Sequence, residues 1–346
     1  MEKENKNKKE NTQVKIATGL DVGTMTLILS RSDSDEMNIN RNMFLRVDTD
    51  EFGMNDMSDM SFITSDDGQT YIIGDDAFKM ANLFNKEVLR PMEKGMISPS
   101  EVDAIDVLAL MIKNMFGDIT DKDVYCSYSV PAEPIDADRS VTYHEKVFSR
   151  VLDAIGINHK SCNEAMAVIF SECKKEKFSG IGLSFGAGMC NIVSAYKAVE
   201  AFTFATSKSG DWIDTMVAKD LNITTNRVTN TKEKFLNLNT GYKKEKNKKR
   251  RRILEALTYY YQSMIDYTIK HLIKEFDSNF DLELDEEIPI VIAGGTSMIP
   301  GFKDLFTARL SNYDLPFDVS EIRMAKNPQT AISRGLLIKT MHDLGI

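Results

Sequence analysis

A strand–glycine turn–strand unit occurs twice in this chain, and a third glycine element follows a later strand. The first unit reads Gly19-Leu20-Asp21-Val22-Gly23-Thr24-Met25-Thr26, the second Gly182-Leu183-Ser184-Phe185-Gly186-Ala187-Gly188-Met189. Each turn lies between two short apolar runs, residues 14–20 and 26–30 in the first case and the two arms of 180–196 in the second. Such a turn lets backbone N–H groups approach and cradle a phosphate. The third element, Ala293-Gly294-Gly295-Thr296-Ser297-Met298-Ile299-Pro300-Gly301, follows the apolar strand 288–292 and opens a helix. A helix start of that kind favours anions. One such turn alone is compatible with a plain hairpin. In this order and spacing the three point to a duplicated architecture in which two turns clamp a triphosphate from both sides.

The rest of the chain alternates strand and helix patterns, a mixed α/β class. Val102, Ile105, Leu108, Ala109, Ile112 and Met115 fall on one face of a helix over 101–116, with Gly117 as its stop. A strand over 124–130 ends at Pro131, and a helix bearing Val147, Val151, Leu152 and Ile155 ends at Gly156. Further helices are expected over 164–173 and about 248–276. Residues 31 to about 76 are polar, acidic and rich in Met and Asn. With Asp33, Asp35, Glu36, Asp48, Asp50, Glu51, Asp56 and Asp59 they read as a small exposed insertion. The opening residues 1–13 have neither an apolar stretch nor an amphipathic face. They read as a solvated polar tail, not a signal peptide or a membrane anchor.

Composition removes several function classes. The chain has 346 residues, enough for two domains, and a net charge of −9, which argues against a dedicated nucleic-acid coat. Cys126, Cys162, Cys173 and Cys190 form no disulfide framework and no C-x-x-C pair, and His144, His159, His271 and His342 lie at no zinc-ligand spacing. No apolar run is long enough to span a membrane. A cytoplasmic protein is the expectation.

The ordered motifs resemble the actin-like ATPases, the superfamily that includes the bacterial filament proteins MreB and MamK, over roughly residues 14–340. Asp21-Val22-Gly23-Thr24 resembles the first phosphate loop, Glu164-Ala165-Met166-Ala167 the first connecting helix, and residues 182–189 the second phosphate loop. Tyr71-Ile72-Ile73-Gly74-Asp75-Asp76-Ala77 is similar to the segment returning from the small outer subdomain. Gly210-Asp211-Trp212-Ile213-Asp214 resembles the opening of the outer part of the second lobe. Lys232-Glu233-Lys234 resembles the helix touching adenosine, and residues 294–301 the adenosine loop.

The resemblance implies an α/β, actin-like two-lobed fold of duplicated mixed-sheet, ribonuclease-H-like domains with small inserted subdomains. The first lobe would cover 14–165, with an insertion at about 32–76. The second would cover 166–346, with an outer insertion at about 208–280, and its segment 325–346 would pack back on the first lobe. It implies ATP and Mg²⁺ in a shared cleft. Asp21 would hold Mg²⁺ through water, and Glu164 would orient and deprotonate the attacking water. Gly23, Thr24 and Met25 would contact phosphate from one side, and Ser184, Gly186, Ala187 and Gly188 from the other. Gly210 and Asp211 would border the cleft, Glu233 would accept from the ribose, and Lys232 would lie along the base. Gly294, Gly295 and Thr296 would pack near adenosine, with Met298 and Ile299 covering the base.

Two departures stand out. The family's second phosphate loop begins with aspartate, whereas here Ser184 brings no charge to the metal or the water, which implies slow hydrolysis. A basic run, Lys243, Lys244, Lys246, Lys248, Lys249, Arg250, Arg251 and Arg252, precedes the long helix. A solvated face is one reading of it; an acidic surface of another subunit, nucleic acid or an anionic membrane are others. The functional expectation is a filament of identical subunits joined head to tail, with hydrolysis regulating assembly and an adaptor protein as a further partner. A non-polymerising nucleotide sensor or scaffold and a metabolite kinase of the same superfamily remain as alternatives. A heat-shock-type chaperone fits less well, because only about 45 residues follow the adenosine loop.

Overall fold

The computed structural model describes residues 15–47, 60–84, 86–98, 101, 103–120, 122–138, 140–278 and 287–346. The expected tail, Val102, and Asp48, Asp50, Glu51, Asp56 and Asp59 of the acidic stretch lie outside the described residues.

The first sheet starts as an antiparallel meander: β1 (Lys15–Val22), β2 (Thr26–Arg31) and β3 (Ser34–Arg41). The chain then builds a small outer sheet from β4 (Phe44–Arg46), β5 (Phe62–Thr64) and β6 (Thr70–Ile73), with α1 (Gly74–Leu83) against it. A short hairpin, β7 (Met92–Glu93) and β8 (Met96–Ile97), leads to α2 (Ala104–Phe116). Strand β9 (Asp123–Val130) returns parallel to β1, and after α3 (Val141–Ile155) strand β10 (Asn158–Asn163) pairs parallel to β9. The sheet order is β10-β9-β1-β2-β3.

The second half repeats this plan. After α4 (Glu164–Glu172) come the meander β11 (Gly180–Phe185), β12 (Cys190–Tyr196) and β13 (Val199–Thr206). An all-helical outer region follows among the described residues: α5 (Gly210–Leu221), α6 (Thr225–Phe235) and α7 (Lys248–Ser278). Strands β14 (Ile288–Ala293) and β15 (Val319–Met324), with α8 (Phe302–Leu310) between them, add parallel to β11, giving the order β13-β12-β11-β14-β15. The two sheets therefore share one topology, and the last helix is α9 (Ala331–Leu344).

One correction concerns the acidic stretch. Ser34–Arg41 is the outer strand of the first sheet, and the small outer sheet begins only after it. Because β3 pairs only with β2 among the described strands, most of its side chains face solvent, and a polar sequence is compatible with strand there. Central β1 and β11 are buried on both faces, which accounts for their short apolar runs.

Each sheet has its own core on one face. Leu20, Leu108, Phe148 and Leu152 belong to the first, and Leu183, Leu257, Tyr261 and Phe302 to the second. Between the lobes α4 and α9 cross, and they are exchanged: α4 packs on β11 and β12, while α9 packs on β1 and β9. Ser333 Oγ donates to the Gly19 carbonyl at 2.9 Å, and Thr340 Oγ1 to that of Thr18 at 2.9 Å. The crossing is so close that a Cβ on Gly335 would lie 1.7 Å from the Ala167 carbonyl oxygen.

Candidate functional site

The two glycine turns face one cleft of about 570 Å³ between the lobes, within the range of small-molecule sites. They are built alike. Gly23 N–H donates to Thr26 O at 3.1 Å, and Gly186 N–H donates to Met189 O at 2.9 Å. Each bond closes its turn and leaves two apex amides, those of Thr24 and Met25 and those of Ala187 and Gly188, with no acceptor among the described residues. All four residues line the cleft. The lobes meet at the turns themselves: a Cβ on Gly188 would lie 2.1 Å from the Gly95 nitrogen and 2.2 Å from Thr24 Oγ1, two first-lobe atoms joined to each other by a 3.0 Å hydrogen bond. A side chain at 188 would force the turns apart.

Two carboxyl groups stand at the cleft floor. Asp21, near the end of β1, accepts from Ser129 Oγ at 3.2 Å, and the same Ser129 Oγ accepts the Val22 amide at 2.7 Å. Glu164 opens α4, where Asn163 caps the helix by accepting the Ala165 and Met166 amides. Its Oε2 accepts from Asn191 Nδ2 at 2.7 Å, and Asn191 Oδ1 in turn accepts the Ala132 amide at 2.8 Å. Burial pushes both acids well above the usual carboxylate range, and the charge of Asp21 adds to the rise at Glu164. Two buried acids without a cation raise each other's cost of ionisation. Ser184 stands with them in the cleft lining, on β11, and its Oγ is buried without a hydrogen-bond partner among the described residues.

Across the cleft, Gly294, Gly295, Thr296, Met298 and Ile299 line the wall formed by β14 and the turn after it, a 3-10 turn (Gly295–Met298) that precedes α8. The Gly294 amide is already committed to Pro328 O at 2.9 Å, and Thr296 Oγ1 donates to Gly186 O at 2.8 Å, which ties this wall to the second turn. Gly210 lies behind that pair and donates its amide to Gly186 O at 3.2 Å. Asp211 faces the cleft and pairs with Arg90 of the first lobe at 2.8 Å. Lys232 and Glu233, on α6, also line it. The Lys232 ammonium is held by buried Asp214 at 2.7 Å, so what it presents to the cleft is chiefly its stem. Glu233 lies 3.9 Å from Arg41, which pairs at 2.6 Å with Asp75.

Sequence reasoning missed Asn191, Ser129, Arg41 and Arg90. Asn191 lies 27 positions from Glu164 and Ser129 lies 108 from Asp21, so no local spacing announces them. The pairing of β1 with β9 brings Ser129 to Asp21, and the packing of α4 on β12 brings Asn191 to Glu164; within its strand Asn191 stands out only as one of two polar residues, with Ser194.

The profile of the Volactin family matches residues 16–340, almost the whole chain. The chain belongs to the Volactin family. No curated protein matches the sequence. Among solved structures, a MamK double helical filament superposes with a TM-score of 0.70 at 17% identity, covering 94% of this chain and 98% of that one. A non-polymerising point mutant of MamK bound to AMPPNP gives 0.58 at 16% identity, covering 95% and 99%. The ethanolamine utilization protein EutJ from Carboxydothermus hydrogenoformans gives 0.50 at 14% identity, covering 93% and 89%. These likenesses establish the actin-like two-lobed fold for this member of the family. No helix among the described residues is long and apolar enough to cross a membrane.

Proposed function

We propose that the chain binds ATP with Mg²⁺ between its lobes and polymerises head to tail, with slow hydrolysis regulating assembly. The observation that carries this reading is the pair of like-built turns offering unbonded amides to one cleft, above two buried carboxyl groups. A triphosphate is the ligand class that needs donors from both sides. The AMPPNP-bound MamK structure and the MamK filament support the nucleotide and the assembly respectively.

The donor set fits Mg²⁺. The buried acids Asp21 and Glu164 lack a counter-charge, and no group of three or more metal-ligating side chains occurs among the described residues. That suits an ion that keeps water and phosphate oxygens as most of its shell. When bound, Mg²⁺ supplies charge neutralisation to the phosphates. Asp21 would hold its water, and Glu164, oriented by Asn191, would position the attacking water and receive its proton. Amides of Thr24, Met25, Ala187 and Gly188 would bind phosphate oxygens. Glu233 would take the ribose on leaving Arg41, and the Lys232 stem, Met298 and Ile299 would enclose the base. Ser184 supplies a hydroxyl where charge would speed the reaction. Lobe closure around the nucleotide changes the surface shown to the next subunit, and a heterologous contact repeated by identical subunits gives an open polymer.

Phosphate release and pelleting with Mg-ATP test this together. Wild type is expected to pellet with nucleotide and release phosphate slowly. Ser184→Asp is expected to release it faster, by up to about a hundredfold, the low end for one preorganised polar group. Fast wild-type release that the substitution leaves unchanged overturns the slow-hydrolysis reading. Nucleotide binding without pelleting would instead favour a sensor or scaffold.

A further inference from the structure

The basic run is placed by α7. Lys248, Lys249, Arg251 and Arg252 occupy its first turns with exposed side chains, and exposed Lys243, Lys244 and Lys246 precede them. Arg250 anchors the run to the body by stacking on Phe235, 3.7 Å from the ring centre, and by pairing with Glu245. This is an unfavourable place for cations. A helix N-terminus carries positive partial charge, no acid occurs in the first turn, and the cap is the neutral Asn247, which accepts the Lys249 and Arg250 amides. The chain thus concentrates cations where its own backbone opposes them, and within residues 243–252 only Glu245 offsets them.

The other end of the same helix is acidic. Asp277, Glu287, Asp314 and Asp318 are exposed there, with Lys274 as a nearby cation. They share one surface: Phe276 and Phe317 stack at 4.3 Å, and the Ile288 amide donates to Asp318 O at 3.0 Å. The helix dipole adds its negative end. A helix of 31 residues puts the two poles roughly 46 Å apart. They cannot meet within one molecule. Tyr261, near the middle of α7, lines the cleft and donates to Thr296 O at 3.3 Å, so the poles flank the nucleotide site from either side.

We propose that the basic pole of one subunit docks on the acidic pole of the next, a second copy of this chain. The inference rests on the assembly reading above and assigns its longitudinal contact. Opposite charge across the interface fixes polarity, since like poles repel, and a contact between unlike ends propagates without closing.

Two charge-reversed full-length variants test it. One carries Lys248→Glu, Lys249→Glu, Arg251→Glu and Arg252→Glu. The other carries Asp277→Lys, Glu287→Lys, Asp314→Lys and Asp318→Lys. Wild type should pellet with Mg-ATP at low salt and lose assembly steeply as ionic strength rises. Each variant alone should need at least about tenfold more protein to pellet, while still binding a fluorescent ATP analogue, which reports an intact cleft. Mixing the two should restore pelleting, because each then offers the pole the other lacks. Variants that pellet like wild type, or a mixture that does not recover, overturn the proposal and leave filament formation standing. A wild type that binds the analogue and never pellets overturns both. If the basic-pole variant pellets normally and has only lost retention of duplex DNA or of phosphatidylserine vesicles, the run serves those ligands and this assignment fails.

Discussion

At the scale of single residues, most of the candidate site was legible because its chemistry demands particular residue types in short spans. Glycine turns, Asp21 and Glu164 announce themselves. Ser129 and Asn191 do not, since what they hold is brought to them by strand pairing in one case and helix packing in the other, between segments far apart in the chain. Another buried group is silent in sequence. His144 on α3 is buried against Phe148, ring centres 4.7 Å apart, and neither ring nitrogen has a hydrogen-bond partner among the described residues. Burial lowers its pKa from 6.5 to about 4. The folded state therefore keeps it neutral while the unfolded chain takes up a proton below pH 6.5. Its contribution is level above that pH. Stability is lost as pH falls from 6.5 towards 4, by about 3 kcal/mol in full. Urea unfolding of wild type and His144→Leu at pH 7.5 and 5 checks this: the acid-induced loss should be smaller in the variant. Equal losses would assign the pH dependence to other groups.

At the scale of elements, the strongly periodic segments were readable and the polar or short ones were not. The apolar positions of α7 recur at helical spacing because one stripe, Ile253, Leu257, Met264 and Leu272 among others, is buried. Strand β3 hid because an outer strand bonds through its backbone and leaves its side chains free to be polar. The exchanged helices α4 and α9 contain a constraint that helix propensity would misjudge. In a helix interior Ala is favoured over Gly by about 1 kcal/mol. At 335, however, the new Cβ would lie 1.7 Å from a main-chain oxygen of Ala167, and no side chain can swing away to admit it. Overpacking of this kind costs about 3 kcal/mol, so the clash wins. Gly335→Ala should lose about 2 kcal/mol net, seen as a lower thermal midpoint. Because α4 begins with Glu164, phosphate release should fall in the same variant. An unchanged midpoint would mean that the helices part without strain.

At the scale of the whole molecule, the ties across the cleft include the Arg90–Asp211 pair at 2.8 Å and the Ala132 amide on Asn191 Oδ1 at 2.8 Å. The ion pair is partly exposed, so its loss should shift global stability by less than about 1 kcal/mol. The same amount applied to the opening step is enough to speed nucleotide exchange about two- to fivefold. Arg90→Ala should therefore release a fluorescent ADP analogue faster with little change in midpoint. Equal release rates would show that closure is set elsewhere. The two-lobe plan was evident from the duplicated turns, whereas the exchange of helices was not, because it depends on which sheet each helix covers. That exchange has a consequence for biosynthesis. Strands β1, β9 and β10 have all left the ribosome well before the helix that covers β1 and β9, which begins at residue 331, is made. At ordinary translation speeds the interval lasts on the order of ten to thirty seconds. Throughout it, the nascent first lobe presents an uncovered face of small and polar groups, Gly19, Ser30 and Ser127 among them, whose hydrogen-bond partners Ser333 and Thr340 are still to be made.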